Sequence, residues 1–147
     1  HTNDVLAMSR RDVTTFDGAR RAWAASLEDA GLTLDDMDLV ETHDCFTVAE
    51  LLEYEAMGLA APGKGADVIR DGTTTREGRL PVNLSGGLKS KGHPIGATGV
   101  SMHIMAAMQL AGEAPEGIQA KEPTFAGVFN MGGAAVANYM SVLERVK

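Results

Sequence analysis

Three short stretches carry residues whose types and spacing could do chemistry. The first is His43-Asp44-Cys45-Phe46, between a strand expected over residues 38–42 and a helix expected over 46–57. In extended backbone His43 and Cys45 project to the same side. Cys45 also precedes a helix start, where the dipole and free N–H groups stabilise a thiolate. Two readings of this lone cysteine stand level, a reactive thiol and a buried apolar cysteine. The second stretch is Lys91-Gly92-His93-Pro94-Ile95-Gly96-Ala97-Thr98-Gly99. Pro94 keeps His93 out of helical geometry and suits a first helical turn, so His93 is held at a helix mouth. A neutral histidine there can act as a base or as a hydrogen-bond donor. The glycines around it allow close approach of a ligand, which outweighs the alternative of a surface histidine in a tight turn. The third is Asn130-Met131-Gly132-Gly133 after an expected strand. Glycine N–H groups there can hold an oxyanion, although many hairpins share the pattern.

Other features point to packing or solvation. His103 lies on an apolar helix and reads as a core or interface histidine, and Met102, Met105 and Met108 recur at helical spacing as packing residues. Gly58, Gly63 and Lys64 have the spacing of a phosphate loop, but Gly65 stands where Ser or Thr must hold magnesium. His43, Cys45 and His93 lack the partner spacing of a closed zinc site, so no metal is expected. Lys64, Arg70, Arg76, Arg79, Lys89 and Lys91 gather in one region, where they are solvated charge or meet a phosphorylated ligand.

These residues need elements to position them. Asp17 to Ala30 has amphipathic helical spacing, with Thr15 or Asp17 to cap it and Gly31 to end it. The helix over 46–57 carries Thr47 and Glu50 as a capping box and stops at Gly58. Residues 60–79 read as a long loop, and 80–84 as a short strand. Residues 96–110 are apolar nearly all round, which predicts a buried helix. Strands over 124–129 and 134–143, joined by residues 130–133, close the chain as a hairpin. The pattern is that of an α/β layer fold with a mixed sheet.

Composition narrows the functions. The 147 residues fit one domain, 44% are hydrophobic and 22% charged, so a packed core needs no staple. The net charge of −7 argues against nucleic acid as main partner. One cysteine excludes an internal disulfide framework. No segment reaches the about 20 apolar residues of a membrane span. No signal-peptide pattern opens the chain and no peroxisomal Ser-Lys-Leu ends it, so a cytoplasmic, bacterial-type location is the expectation. The start at His1, without an initiator methionine, leads us to expect a fragment or processed piece.

From Asp17 onward the chain resembles the C-terminal half of the thiolase superfamily, most of all the thiolases related to sterol carrier protein X. Gly92-His93-Pro94-Ile95-Gly96-Ala97-Thr98-Gly99 is similar to the family's catalytic-histidine motif. His43-Asp44-Cys45-Phe46 is similar to the HDCF motif of that subgroup, where most thiolases have Asn-Glu-Ala-Phe. Gly78-Arg79-Leu80-Pro81-Val82-Asn83 and Ser85-Gly86-Gly87-Leu88-Lys89 also resemble it. The resemblance implies that residues 1–147 form a single thiolase C-terminal domain, a five-stranded mixed sheet with helices on both faces. It implies thiolytic cleavage of a 3-ketoacyl-CoA, as in fatty acid β-oxidation, or the reverse Claisen condensation. Coenzyme A would be substrate and product, and no cofactor would be covalently bound.

In this resemblance His93 is the base. Asn130-Met131-Gly132 stands where ordinary thiolases have a Cys-x-Gly turn, so the second acid/base passes to Cys45. His43 joins His93 in the first oxyanion hole, and the Gly132 N–H serves the second. The acyl-accepting cysteine belongs to the N-terminal half, which must come from a longer chain or a separate subunit. A homodimer or tetramer is expected. The alternatives are a thiolase-like retro-aldolase acting on sterol side-chain CoA thioesters and a non-catalytic binding domain of the same fold.

Overall fold

Successive side chains of one strand enter two different apolar clusters and fix the architecture. The structure, a computed structural model, describes residues 2–3 and 10–146; His1 lies outside the described residues. In strand β3 (Phe125–Gly132), Ala126 and Val128 enter one apolar cluster with Leu39, Leu88, Met102, Ala106 and Leu110. Phe129 and Met131 enter another with Trp23, Leu27, Val40 and Tyr54. The two clusters lie on opposite faces of the sheet because successive strand side chains alternate. Helices α1 (Asp17–Ala30) and α2 (Thr47–Ala56) cover one face, and α5 (Thr98–Ala111) covers the other. Two short helices, α3 (Asp67–Arg70) and α4 (Gly87–Lys91), lie between α2 and α5 in the chain.

The sheet order is β1-β4-β3-β2, where β1 is Thr2–Asn3, β2 is Leu39–Thr42 and β4 is Ala137–Glu144. β2 runs parallel to β3, while β4 is antiparallel to both β3 and β1, so the sheet is mixed. The expectation of five strands is corrected: among the described residues only β2, β3 and β4 exceed two residues. The strand expected over 80–84 shrinks to one parallel bridge, Val40 to Val82. Pro81 has no N–H to give, and Asn83 turns left-handed at φ 52°, so a ladder cannot continue. The Asn83 side chain completes the pairing, its Oδ1 accepting the Thr42 N–H at 2.8 Å.

Several local expectations also change. α1 has the expected span and ends at Gly31, which is left-handed at φ 68°. Its start is not capped by Thr15 or Asp17; buried Phe16 takes the cap position, and Asp17 pairs with Arg20 and Arg21. The Thr47–Glu50 capping box is absent, because Glu50 accepts the Tyr54 hydroxyl at 2.7 Å and pairs with Lys89. The hairpin turn falls at residues 133–136, three residues later than expected, so Asn130 to Gly132 belong to β3. The region 60–79 carries α3 and folds back on α2, where the Gly65 N–H donates to Glu55 at 2.8 Å. α5 is buried on one side only, since Val100 and Ile104 are 60% and 53% exposed. Among the described residues no helix is long and apolar enough to cross a membrane.

Candidate active site

β2 and β3 end side by side, and the residues that follow them build the site. Leu39, Glu41 and His43 face α5, as does Asn130, so the parallel register brings His43 and Asn130 together. The His43 N–H of the backbone donates to the Phe129 carbonyl at 3.0 Å, extending the ladder by one bond. The His43 ring is buried, and its Nδ1 lies 2.8 Å from Asn130 Oδ1. An amide oxygen only accepts, so Nδ1 carries the hydrogen. Asn130 in turn rests against Gly99, where an added Cβ would stand 2.9 Å from its amide nitrogen.

His93 reaches the same place from the other direction. Its Nδ1 is 2.7 Å from the Thr98 hydroxyl, which donates to the Pro94 carbonyl at 3.2 Å. With the hydroxyl hydrogen on Pro94, Nδ1–H of His93 donates to Thr98 and Nε2 keeps a lone pair. The two imidazoles meet edge to face with centroids 4.8 Å apart. Both rings are thus anchored through Nδ1, and Nε2 is the atom each has left for chemistry.

Asp44 locks the two histidine segments together. Its buried carboxylate accepts the Leu88 N–H at 2.6 Å and the Lys89 N–H at 3.4 Å at the start of α4. Only glycine fits at residue 87: φ is +65°, and a Cβ would lie 2.6 Å from the Asp44 carboxyl carbon. At the other end of α4, Lys91 reaches buried Glu41 at 3.2 Å and Ser85 Oγ at 2.5 Å, which fixes the approach to His93.

Cys45 sits half-buried just before α2. Burial pushes its thiol up, and the Glu53 carboxyl adds to this, while N–H groups of the helix start oppose it. Burial thus outweighs the stabilisation that a helix start offers a thiolate, and the thiol keeps its proton more firmly than an ordinary cysteine. Burial also lowers the proton affinity of His43, against the opposing hydrogen bond it donates to Asn130. Glu53 is fully buried, accepts the Thr42 hydroxyl on one oxygen and leaves Oε1 without a partner. Its burial raises the carboxyl well above the ordinary carboxylate range, against the opposing Thr42 hydrogen bond. Sequence reasoning gave Glu53 no role, although its spacing from Ala49 already put it on the buried side of α2.

His43, Cys45, His93 and Gly132 line one open groove of about 1240 Å³. All four predicted site residues thus share one cavity. His103 is held instead by the Gly99 carbonyl at 2.7 Å and Ser141 Oγ at 3.0 Å. The basic cluster has acidic partners throughout: Lys64 and Arg70 pair with Asp67, Arg76 with Glu77, Arg79 with Asp35, Lys89 with Glu50 and Lys91 with Glu41. Among the described residues no group of three or more His, Cys, Asp or Glu side chains is arranged to hold a metal ion.

The family model described as thiolase C-terminal domain-like matches residues 1–145. An acetyl-CoA acetyltransferase of Methanothermobacter thermautotrophicus is 45% identical over 105 residues, 71% of this chain and 27% of the relative. Sterol carrier protein 2 of Homo sapiens is 48% identical over 99 residues, covering 67% of this chain and 18% of that protein. A benzoylsuccinyl-CoA thiolase subunit of Thauera aromatica is 39% identical over 105 residues, 71% of this chain and 27% of the subunit. The chain thus spans about a quarter or less of these relatives. Among solved structures, an Ltp2-ChsH2(DUF35) aldolase matches with a TM-score of 0.75 over 86% of this chain and 31% of that chain. At 24% identity this is likeness of fold. Motif, fold and match over residues 1–145 agree: the chain belongs to the thiolase C-terminal domain-like family.

Proposed function

We propose that this domain supplies the base, the acid/base cysteine and the oxyanion groups of a thiolase-type acyl transfer on 3-ketoacyl-CoA. The observation that carries the reading is the meeting of His43, His93 and Cys45 on one groove, with a free Nε2 on His93. The acyl-accepting cysteine comes from an N-terminal thiolase half, in the same longer chain or a second subunit. Exposed Val100 and Ile104 on α5 offer that half an apolar face.

In the cleavage direction His93 Nε2 takes the proton of the acyl-accepting thiol. The thiolate adds to the 3-keto carbon, and the bond between the keto carbon and the α-carbon breaks. Its electron pair stays on the α-carbon as an acetyl-CoA enolate, which the Cys45 thiol protonates. The resulting Cys45 thiolate takes the proton of coenzyme A, whose sulfur attacks the acyl-cysteine thioester. The departing cysteine recovers its proton from His93. A protonated Cys45 in the resting state suits this sequence, since its first task is to give a proton. His93, protonated by the acyl-accepting thiol, donates from Nε2 to the oxyanion of the acetyl thioester, His43 joins it when a solvent proton reaches its Nε2, and the Gly132 N–H acts on the oxyanion of the keto carbon.

The test is 3-ketoacyl-CoA thiolysis by the protein joined to its N-terminal half. Cys45→Ala and His93→Ala should each lower kcat by about 10²–10⁴-fold, the span of a positioned acid or base. Wild-type turnover in both variants would reject the catalytic reading and leave a binding domain.

A further inference from the structure

We propose that Asn130 is a positioning residue that holds His43 in the Nδ1–H form, so that the ring offers an unprotonated Nε2 to the groove. The inference deepens the acyl-transfer reading and rests on it for its kinetic consequence.

Three observations carry it. Asn130 Oδ1 is the hydrogen-bond partner of the buried His43 ring, at 2.8 Å from Nδ1. The Asn130 amide has room there only because Gly99 carries no side chain, since an added Cβ would stand 2.9 Å from its nitrogen, and its place in β3 sets it beside the end of β2. His93 is anchored in the same way, through Nδ1 to the Thr98 hydroxyl. Free imidazole favours the Nε2–H tautomer modestly, so an acceptor at Nδ1 is what reverses the choice, and a ring's chemistry follows from the bond its other nitrogen makes. With Nδ1–H committed to Asn130, His43 can give a hydrogen to a substrate oxygen only after it gains a proton at Nε2. Burial disfavours that gain, so the proton reaches Nε2 from solvent only as negative charge develops on the substrate oxygen, and the charged donor it makes there is stronger than a neutral one. The pairing also explains why this position needs an amide oxygen and not a thiol: a thiol is a weak acceptor and would leave Nδ1–H unsatisfied in a buried site.

The experiment is ¹⁵N NMR of the histidine side chains in the full protein, at a pH where imidazole is neutral. Assignment uses His43→Gln as the missing-signal control. Wild type should show His43 with hydrogen on Nδ1. Asn130→Ala should move it to Nε2, and Asn130→Asp, which keeps an oxygen acceptor, should restore Nδ1–H. Gly99→Ala leaves Asn130 in place but pushes its amide aside, and should weaken the Nδ1–H preference as well. In thiolysis Asn130→Ala should lower kcat about 10–100-fold at nearly constant KM, the mark of an interaction made in the transition state. Hydrogen on Nε2 in wild type, or an unchanged tautomer in Asn130→Ala, overturns the proposal. A shifted tautomer with wild-type kcat upholds the positioning and overturns the oxyanion role of His43.

Discussion

Replacing Gly87 by alanine should disable the clamp between the two histidine segments, and its cost can be worked from the structure. Residue 87 is left-handed, and an L residue there costs about 1–2 kcal/mol. The new Cβ would also lie 2.6 Å from the Asp44 carboxyl carbon, so the carboxylate must leave its seat. Leaving means losing the bond from the Leu88 N–H at 2.6 Å, worth about 1.5–3 kcal/mol for a charged acceptor. We expect a loss of about 2.5–5 kcal/mol in urea unfolding, read from the midpoint at constant slope. A double-mutant cycle isolates the mechanism. In an Asp44→Ala background the added methyl meets no carboxylate, so Gly87→Ala should then cost only the backbone term of about 1–2 kcal/mol. Additive effects, or a loss under about 1 kcal/mol for the single variant, would refute the reasoning.

Three further outcomes follow from the same packing. Glu53 keeps its proton in the folded state above the pH at which the unfolded carboxyl ionises, so stability should fall as pH rises beyond the ordinary carboxylate range. The fall is bounded at about 1.4 kcal/mol per pH unit, and Glu53→Gln should flatten it; equal slopes in thermal melts of both proteins would contradict the buried neutral acid. Alkylation of Cys45 by iodoacetamide should keep accelerating beyond the pH at which an ordinary thiol is fully ionised, because burial disfavours its thiolate; a plateau reached by neutral pH would be wrong for this site. Gly127→Ala would set a Cβ 2.5 Å from the Trp23 ring and 3.2 Å from Val40, and should cost about 1–3 kcal/mol by overpacking, whereas an unchanged melting temperature would show that the helix–sheet contact has slack.

Much of the site was legible before the fold was known, because its chemistry is local. The glycines and proline around His93 are properties of a few consecutive residues, whereas the segment after β2 is not the extended backbone expected, since the Asp44 and Cys45 N–H groups turn back to the Thr42 and His43 carbonyls. Helix α1 was equally plain, since its apolar stripe and Gly31 are both local signals. What stayed hidden was set by distant partners. The strand at 80–84 has strand-like residues, yet Pro81 and the left-handed Asn83 reduce it to one bridge completed by a side chain. Thr47 and Glu50 have the spacing of a capping box, but Lys89 and Tyr54 draw Glu50 away from the helix start. Cys45 shows the same limit: its helix placement is visible in sequence, while the burial that overrides the dipole depends on the layers packed around it. The Asn130–His43 bond spans 87 residues and exists only because β2 and β3 are parallel neighbours.

The central claim is that Cys45 moves the proton at the α-carbon of a CoA thioester. Solvent exchange tests it most directly, since uptake of deuterium from D₂O into the methyl group of acetyl-CoA needs that acid/base and no acyl acceptor. The protein joined to its N-terminal half should catalyse this uptake, and Cys45→Ala should slow it about 10²-fold or more with acetyl-CoA still bound. Exchange at the wild-type rate in Cys45→Ala would contradict the account.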